Sequence, residues 1–170
     1  MATTTHTRET AKTRLLKNYK PESGKTKKVL RAYPSTQAEF RPHERSNDAM
    51  QLAWTFLMEQ HMLLNALRSQ QVLGAARPDR PATWDAMVGA VEAKLDEVVA
   101  ELESPNNPEL EGSVEFFTGP QQRGHYQLTD FADFMLFDQI HHRGQMSVYL
   151  RMAGGKVPAL YGPSADEPWI

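Results

Sequence analysis

Residues 129–153 read TDFADFMLFDQIHHRGQMSVYLRMA. Thr129 offers a side-chain oxygen to cap a helix beginning at Asp130, and Gly154-Gly155 ends it after Ala153. Wound as a helix, the stretch puts Phe131, Phe134, Met135, Asp138, His142, Gln145, Tyr149 and Met152 on one face. Three polar groups therefore interrupt an apolar stripe. A buried carboxylate costs several kcal/mol (roughly 2–5) unless a cation or hydrogen bonds offset it. Asp138 and His142 are four residues apart, one above the other, a spacing that lets two side chains share one metal ion. The same spacing also suits a hydrogen-bonded core pair in which the carboxylate fixes the imidazole tautomer.

Working outward, three more segments carry a helical pattern. About Trp84 to Glu103, capped by Thr83, places Met87, Val91, Leu95, Val98, Val99 and Leu102 in a stripe. About Asn47 to Gln71, capped by Ser46 or Asn47, is apolar nearly all round, which predicts a central helix or a dimer interface. The first segment, about Thr7 to Tyr33, carries Pro21, Ser23 and Gly24, so two pieces or a kink near Lys20 is expected. Between the third and fourth helices, Glu109–Leu128 reads as a long loop with a short extended piece at Val114–Phe117. The predicted fold is one all-α domain over residues 1–170, an antiparallel four-helix bundle with a long connection between helices 3 and 4. Residues 1–6 are expected to be a flexible lead-in, and residues 155–170, rich in proline, a tail packed on the bundle.

Composition narrows the function classes. A net charge of −2 gives no general drive toward nucleic acid or acidic lipid, so neither is an expected partner. The cluster Lys25, Lys27, Lys28 and Arg31 reads as a solvated helix face. With no cysteine there is no disulfide, no thiolate nucleophile and no cysteine–zinc site. The polar N-terminus lacks a secretory h-region and no apolar run reaches ~20 residues, so a cytoplasmic protein is expected. Phosphate-binding glycine loops, H-E-x-x-H and G-x-S-x-G are all missing. His43 and His125 are expected in solvent-facing loops, His61 in the core or an interface, and His6 in the N-terminal tail. Arg143 is expected to bond carboxylates or the C-terminal tail.

The run His141-His142-Arg143-Gly144-Gln145, continuing into SVYLR, resembles the fourth-helix signature of the DinB/YfiT-like superfamily. The second-helix stretch LAWTFLMEQ and the tail KVPALYGPSADE resemble that family as well. The resemblance implies a four-helix bundle, often dimeric, with a pocket that in many members holds a divalent metal on three histidines. It implies a metal-dependent hydrolase or a thiol-dependent transferase acting on a small molecule. By that resemblance the second-helix ligand falls at Thr55 and the fourth-helix pair at Asp138 and His142. Only His142 keeps the implied histidine. Glu59, one turn beyond Thr55, could complete a carboxylate-rich set with Asp138 and His142 for Zn, Ni, Mn or Fe. Thr55, Gln145 and Tyr149 are expected to line the pocket. The alternatives are a metal-free, ligand-binding or stress-related homodimer with a degenerate site, and a purely structural or regulatory dimer.

Overall fold

The computed structural model describes residues 9–169; His6, Thr7 and the expected lead-in at 1–6 lie outside the described residues. Four long helices form, α1 (Ala11–Ala32), α2 (Ala49–Ser69), α3 (Trp84–Glu103) and α4 (Leu128–Met152). A hairpin of β1 (Ser113–Gly119) and β2 (Gln122–Gln127) precedes α4. The four-helix expectation holds, while the hairpin corrects the all-α part of it. Sequence periodicity finds β1 but not β2, whose QRGHYQ has no apolar alternation. Phe116 of β1 and Tyr126 of β2 pack on Phe131 and Phe134 and anchor the hairpin to the start of α4.

The helix directions also differ from a simple antiparallel bundle. Arg31 bonds Glu92 and Lys20 bonds Glu103 (2.7 Å), so α1 and α3 run oppositely. Tyr149 Oη donates to the carbonyl of Asn47 (2.9 Å) and His142 meets Glu59, so α2 and α4 are antiparallel too. Yet α2 and α3 start beside one common hollow, lined by Asp48, Met50, Thr83 and Trp84, and Arg68 near the end of α2 bonds Glu101 of α3 (3.1 Å). These two helices are parallel. So are α1 and α4, joined by Arg14–Asp133 near their starts and by Thr26–Gln139 (2.9 Å) further on. The cause is the α2–α3 connection, which is a return path rather than a tight turn: Ala76 lies back alongside α2, its carbonyl 2.7 Å from the His61 ring. Fourteen extended residues can reach ~46 Å, more than the ~31 Å length of a 21-residue helix.

Side-chain details follow from these contacts. Thr83 caps α3 as expected, accepting from the Ala86 N–H (3.3 Å). The cap of α2 is Asp48, which accepts from Gln51 N–H (2.7 Å), rather than Ser46 or Asn47. Helix α4 starts at Leu128, whose N–H bonds the Gly112 carbonyl (2.9 Å), so Thr129 lies inside it. Helix α1 is unbroken through Pro21, which sits on the solvent side. Apolar residues around α2 are taken up by α3 on one side and α4 on the other, which explains its girth within one chain. Lys27 and Arg31 pair with Asp96 and Glu92 of α3 and so are not a free basic patch.

The inward side of α4 is rotated from the predicted stripe. Leu128, Phe131, Ala132, Met135, Leu136, Gln139, Arg143, Met146 and Leu150 are buried, while Phe134, Gln145 and Met152 are exposed. Arg143 is wholly buried because its guanidinium is satisfied. It donates to the Glu22 carbonyl (3.0 Å) and carboxylate (2.5 Å) and to Tyr161 Oη in the tail. Tail residues 155–169 are held by that contact, by Arg151–Asp166 (3.1 Å) and by buried Pro158.

Candidate metal centre

Glu59 sits at the middle of α2, on the side that α4 covers. Its neighbours along α2, Phe56, Leu57 and Leu63, are buried, and so is the Glu59 carboxylate itself. On α4, Asp138 and His142 rise one turn apart toward the same point. Nδ1 of His142 and Oε1 of Glu59 share a hydrogen bond of 2.5 Å, and Asp138 Oδ1 lies 3.6 Å from the same nitrogen. One ligand-capable atom from each of the three residues falls within 4.8 Å of the others. The Phe56 ring stands nearly perpendicular to the His142 imidazole, with ring centroids 6.3 Å apart.

Exposure grades across the set. The Glu59 side chain is 1% exposed, His142 19% and Asp138 31%, so the centre opens to solvent on the Asp138 side. Glu59 Oε2 is buried with no hydrogen-bond partner. Burial pushes the Glu59 carboxyl up to about 7, even though the bond to His142 pulls the other way. His142 is raised above its ordinary value, chiefly by the hydrogen bond to Glu59, against the opposing effect of its own burial. The pair is thus arranged to hold or release a proton near neutrality.

The other expected site residues are placed elsewhere. Thr55 points its hydroxyl back to the Gln51 carbonyl (3.2 Å), as a helical threonine does, and is not part of the donor set. Gln145 is exposed and contacts His141 (3.2 Å). With Tyr149, Ser46, Asn47, Leu52 and Val148 it lines a shallow hollow of about 370 Å³ that includes none of the three donors. A larger hollow of about 900 Å³ lies at the shared starts of α2 and α3, away from the chemistry. His61 is half-buried, bonded to Ala76 and Asn65 at the α2–α3 connection, and His125 is exposed on β2. Sequence reasoning did not single out Gln60, buried beside Glu59 and hydrogen-bonded to Tyr19 of α1. A polar residue within the apolar run of α2 was the available signal.

The DinB family profile matches residues 1–169. The chain belongs to the DinB family. A DinB-like protein of Bacillus subtilis (YjoA) superposes with a TM-score of 0.68 over 92% of this chain and 99% of its own, at 16% identity. A DinB-like protein of Bacillus cereus superposes with a TM-score of 0.70 over 86% and 95%, at 20% identity. At these identities the likeness concerns the fold. The uncharacterized protein YrdA of Bacillus subtilis is 53% identical over 34 residues, and that match spans 20% of each chain. Within this DinB fold, the resemblance-based position on α2 is one turn away from the residue that meets His142: the contact is made by Glu59, not Thr55.

Proposed function

We propose that the protein binds a divalent metal ion between α2 and α4 through Glu59, Asp138 and His142, and serves a hydrolytic or thiol-dependent transfer reaction on a small molecule. The observation that carries this reading is Glu59. Its carboxylate is almost completely buried, one oxygen bonds His142, and the other has no partner. An ionised carboxylate in that setting needs positive charge beside it, which a cation supplies. Two carboxylates and one imidazole form an oxygen-rich set that suits Mn or Fe and admits Zn or Ni. Such an ion would supply Lewis acidity toward a water or thiol. Asp138 borders the open side, where a substrate enters, while the hydrogen bond to Glu59 orients the His142 ring.

The test is metal content by mass spectrometry on untagged protein, beside Asp138→Ala and His142→Ala. Near-stoichiometric metal in the parent, lost in both variants, is the expected result. Substoichiometric metal with no uptake of added Mn, Fe, Zn or Ni would sink the proposal.

A second reading has its own support. The 2.5 Å bond already joins His142 to Glu59, which suits a metal-free site where the pair holds a proton against a small bound ligand. Thermal shifts produced by thiols or small acids in chelator-treated protein, and unchanged by added metal, would favour it.

A further inference from the structure

The donor set is one end of a longer seam between α2 and α4. On α2, Leu52, Thr55 and Glu59 recur at steps of three and four residues, and on α4 Asp138, His142, Gln145 and Tyr149 do the same. The two stripes run antiparallel in a register fixed at both ends. His142 meets Glu59 (2.5 Å), and Tyr149 Oη donates to the Asn47 carbonyl (2.9 Å). Thr55 and Gln145 therefore stand level with each other, midway along the seam. Beyond them lies the hollow of about 370 Å³ lined by Ser46, Asn47, Leu52, Gln145, Val148 and Tyr149. Counted from His142 at ~1.5 Å per residue, it runs from roughly 5 to roughly 10 Å along α4.

The lining decides what the hollow can hold. Among the described residues, no lysine, arginine, histidine, aspartate or glutamate lines it, whereas the larger hollow at the starts of α2 and α3 carries Arg41, Arg80, Asp48 and Asp85. A carboxylate, phosphate or ammonium resting against these walls would give up water and meet no opposite charge. What the walls do offer is neutral hydrogen bonding beside an apolar patch. Gln145 gives an amide N–H to His141 (3.2 Å), which leaves its amide oxygen to accept. Tyr149 Oη donates its proton to Asn47 and can accept as well. The Ser46 hydroxyl and the Asn47 amide add donors, and Leu52 and Val148 form the apolar part. A carboxamide carries an N–H donor and a carbonyl acceptor on one flat group, so it answers both kinds of partner at once.

We infer that this hollow receives the far end of the substrate, that this end is uncharged and carries an amide, and that the reacting end lies at Glu59, Asp138 and His142. The inference rests on the reading of those three residues as the reacting centre. It narrows the substrate to a short molecule, polar but neutral at one end, with its thiol or hydrolysable bond one to two helical turns away. Thr55 stands on the path between the two ends. It is small, and its hydroxyl is turned to the Gln51 carbonyl, so it brings neither bulk nor charge there.

Two measurements on the full chain test this. In chelator-treated protein, butanamide, butanoate and butylammonium are titrated while the side-chain amide signals of Asn47 and Gln145 and the Val148 methyls are followed by NMR. Butanamide should move them saturably, with the two charged analogues about tenfold weaker. Gln145→Leu should weaken butanamide about fivefold, and Gln145→Lys should turn the preference toward butanoate. On zinc-loaded protein, mercaptobutanamide should bind about tenfold tighter than butanethiol by calorimetry, because its two ends are held together. Gln145→Leu, with metal content unchanged, should remove most of that gain. Equal binding of the three fragments, preference of the parent for a charged one, signals confined to the larger hollow, or a thiol amide no tighter than the plain thiol would overturn the inference. A chain that takes up no metal ends the metal reading alone, and the fragment titration then decides the hollow.

Discussion

Replacing Glu59 by glutamine should remove a fall in stability that the parent shows as pH rises from about 5 to about 8. Burial keeps the Glu59 carboxyl protonated up to about 7, whereas in the unfolded chain it ionises near its ordinary 4.5. Between those values the folded state retains a proton that the unfolded state has lost, so raising the pH favours unfolding. The stabilisation is complete below 4.5 and lost as pH passes about 7. His142 acts in the same direction, because the Glu59 hydrogen bond raises it above 6.5 and its contribution too fades as pH climbs past the folded value. For Glu59 the interval from 4.5 to about 7, at ~1.4 kcal/mol per pH unit, is worth about 3 kcal/mol. In a chain of this size that corresponds to roughly 6–12 °C in Tm. Glutamine has the same shape, still accepts from His142, and carries no charge to bury. Thermal unfolding in chelator from pH 5 to 8 should show the parent falling and Glu59→Gln nearly level, the variant being the more stable at pH 8. Parallel curves for the two proteins would refute the reasoning, because burial of Glu59 would then not govern the slope.

Three further perturbations test other parts of the structure. Arg143→Met should cost about 3 kcal/mol in urea unfolding, because the buried Glu22 carboxylate keeps only Lys25 as a cation partner. The same variant should lose the tail more readily to limited proteolysis, since Tyr161 is held by Arg143 and Glu22. Pro21→Ala should stabilise by about 2 kcal/mol, restoring a backbone donor inside α1 at an exposed position, and should be read as a higher Tm. Gly112→Ala should destabilise by about 1–2 kcal/mol, because φ is +112° and a Cβ would stand 2.3 Å from the Gln70 amide that bonds Glu111 and Ser113. Denaturant midpoints of parent and variant decide that case.

Helix α3 was the most legible element, since one side is buried, the other is wet, and Thr83 marks its start. Helix α4 was legible as a helix but not in its rotation. Phe134, Phe137, Val148 and Met152 face out while Gln139 and Arg143 face in, so hydrophobicity alone cannot say which side meets the bundle. Helix directions escaped the sequence because they depend on the path of residues 70–83, not on any helix pattern. In the site, the Asp138–His142 pair follows from spacing on a single helix. That Glu59 rather than Thr55 completes it depends on how α2 and α4 are offset along their axes, a tertiary quantity that local pattern does not contain.

The parallel run of α2 and α3 bears on how the chain reaches this state. Helix α1 packs on α3 and α4 and lies diagonal to α2, its neighbour in sequence. Its fastenings close over 61 residues to Glu92 and 121 residues to Arg143. On a ribosome adding ~5–20 residues per second, α1 waits roughly 6–24 s for Arg143 to be made. For the first part of that interval, until α3 has been made, Leu15, Tyr19 and Val29 lack the helix they pack against, and the packing of α1 is completed only when α4 arrives. Long-range closure of this kind also slows refolding relative to a bundle whose successive helices are neighbours.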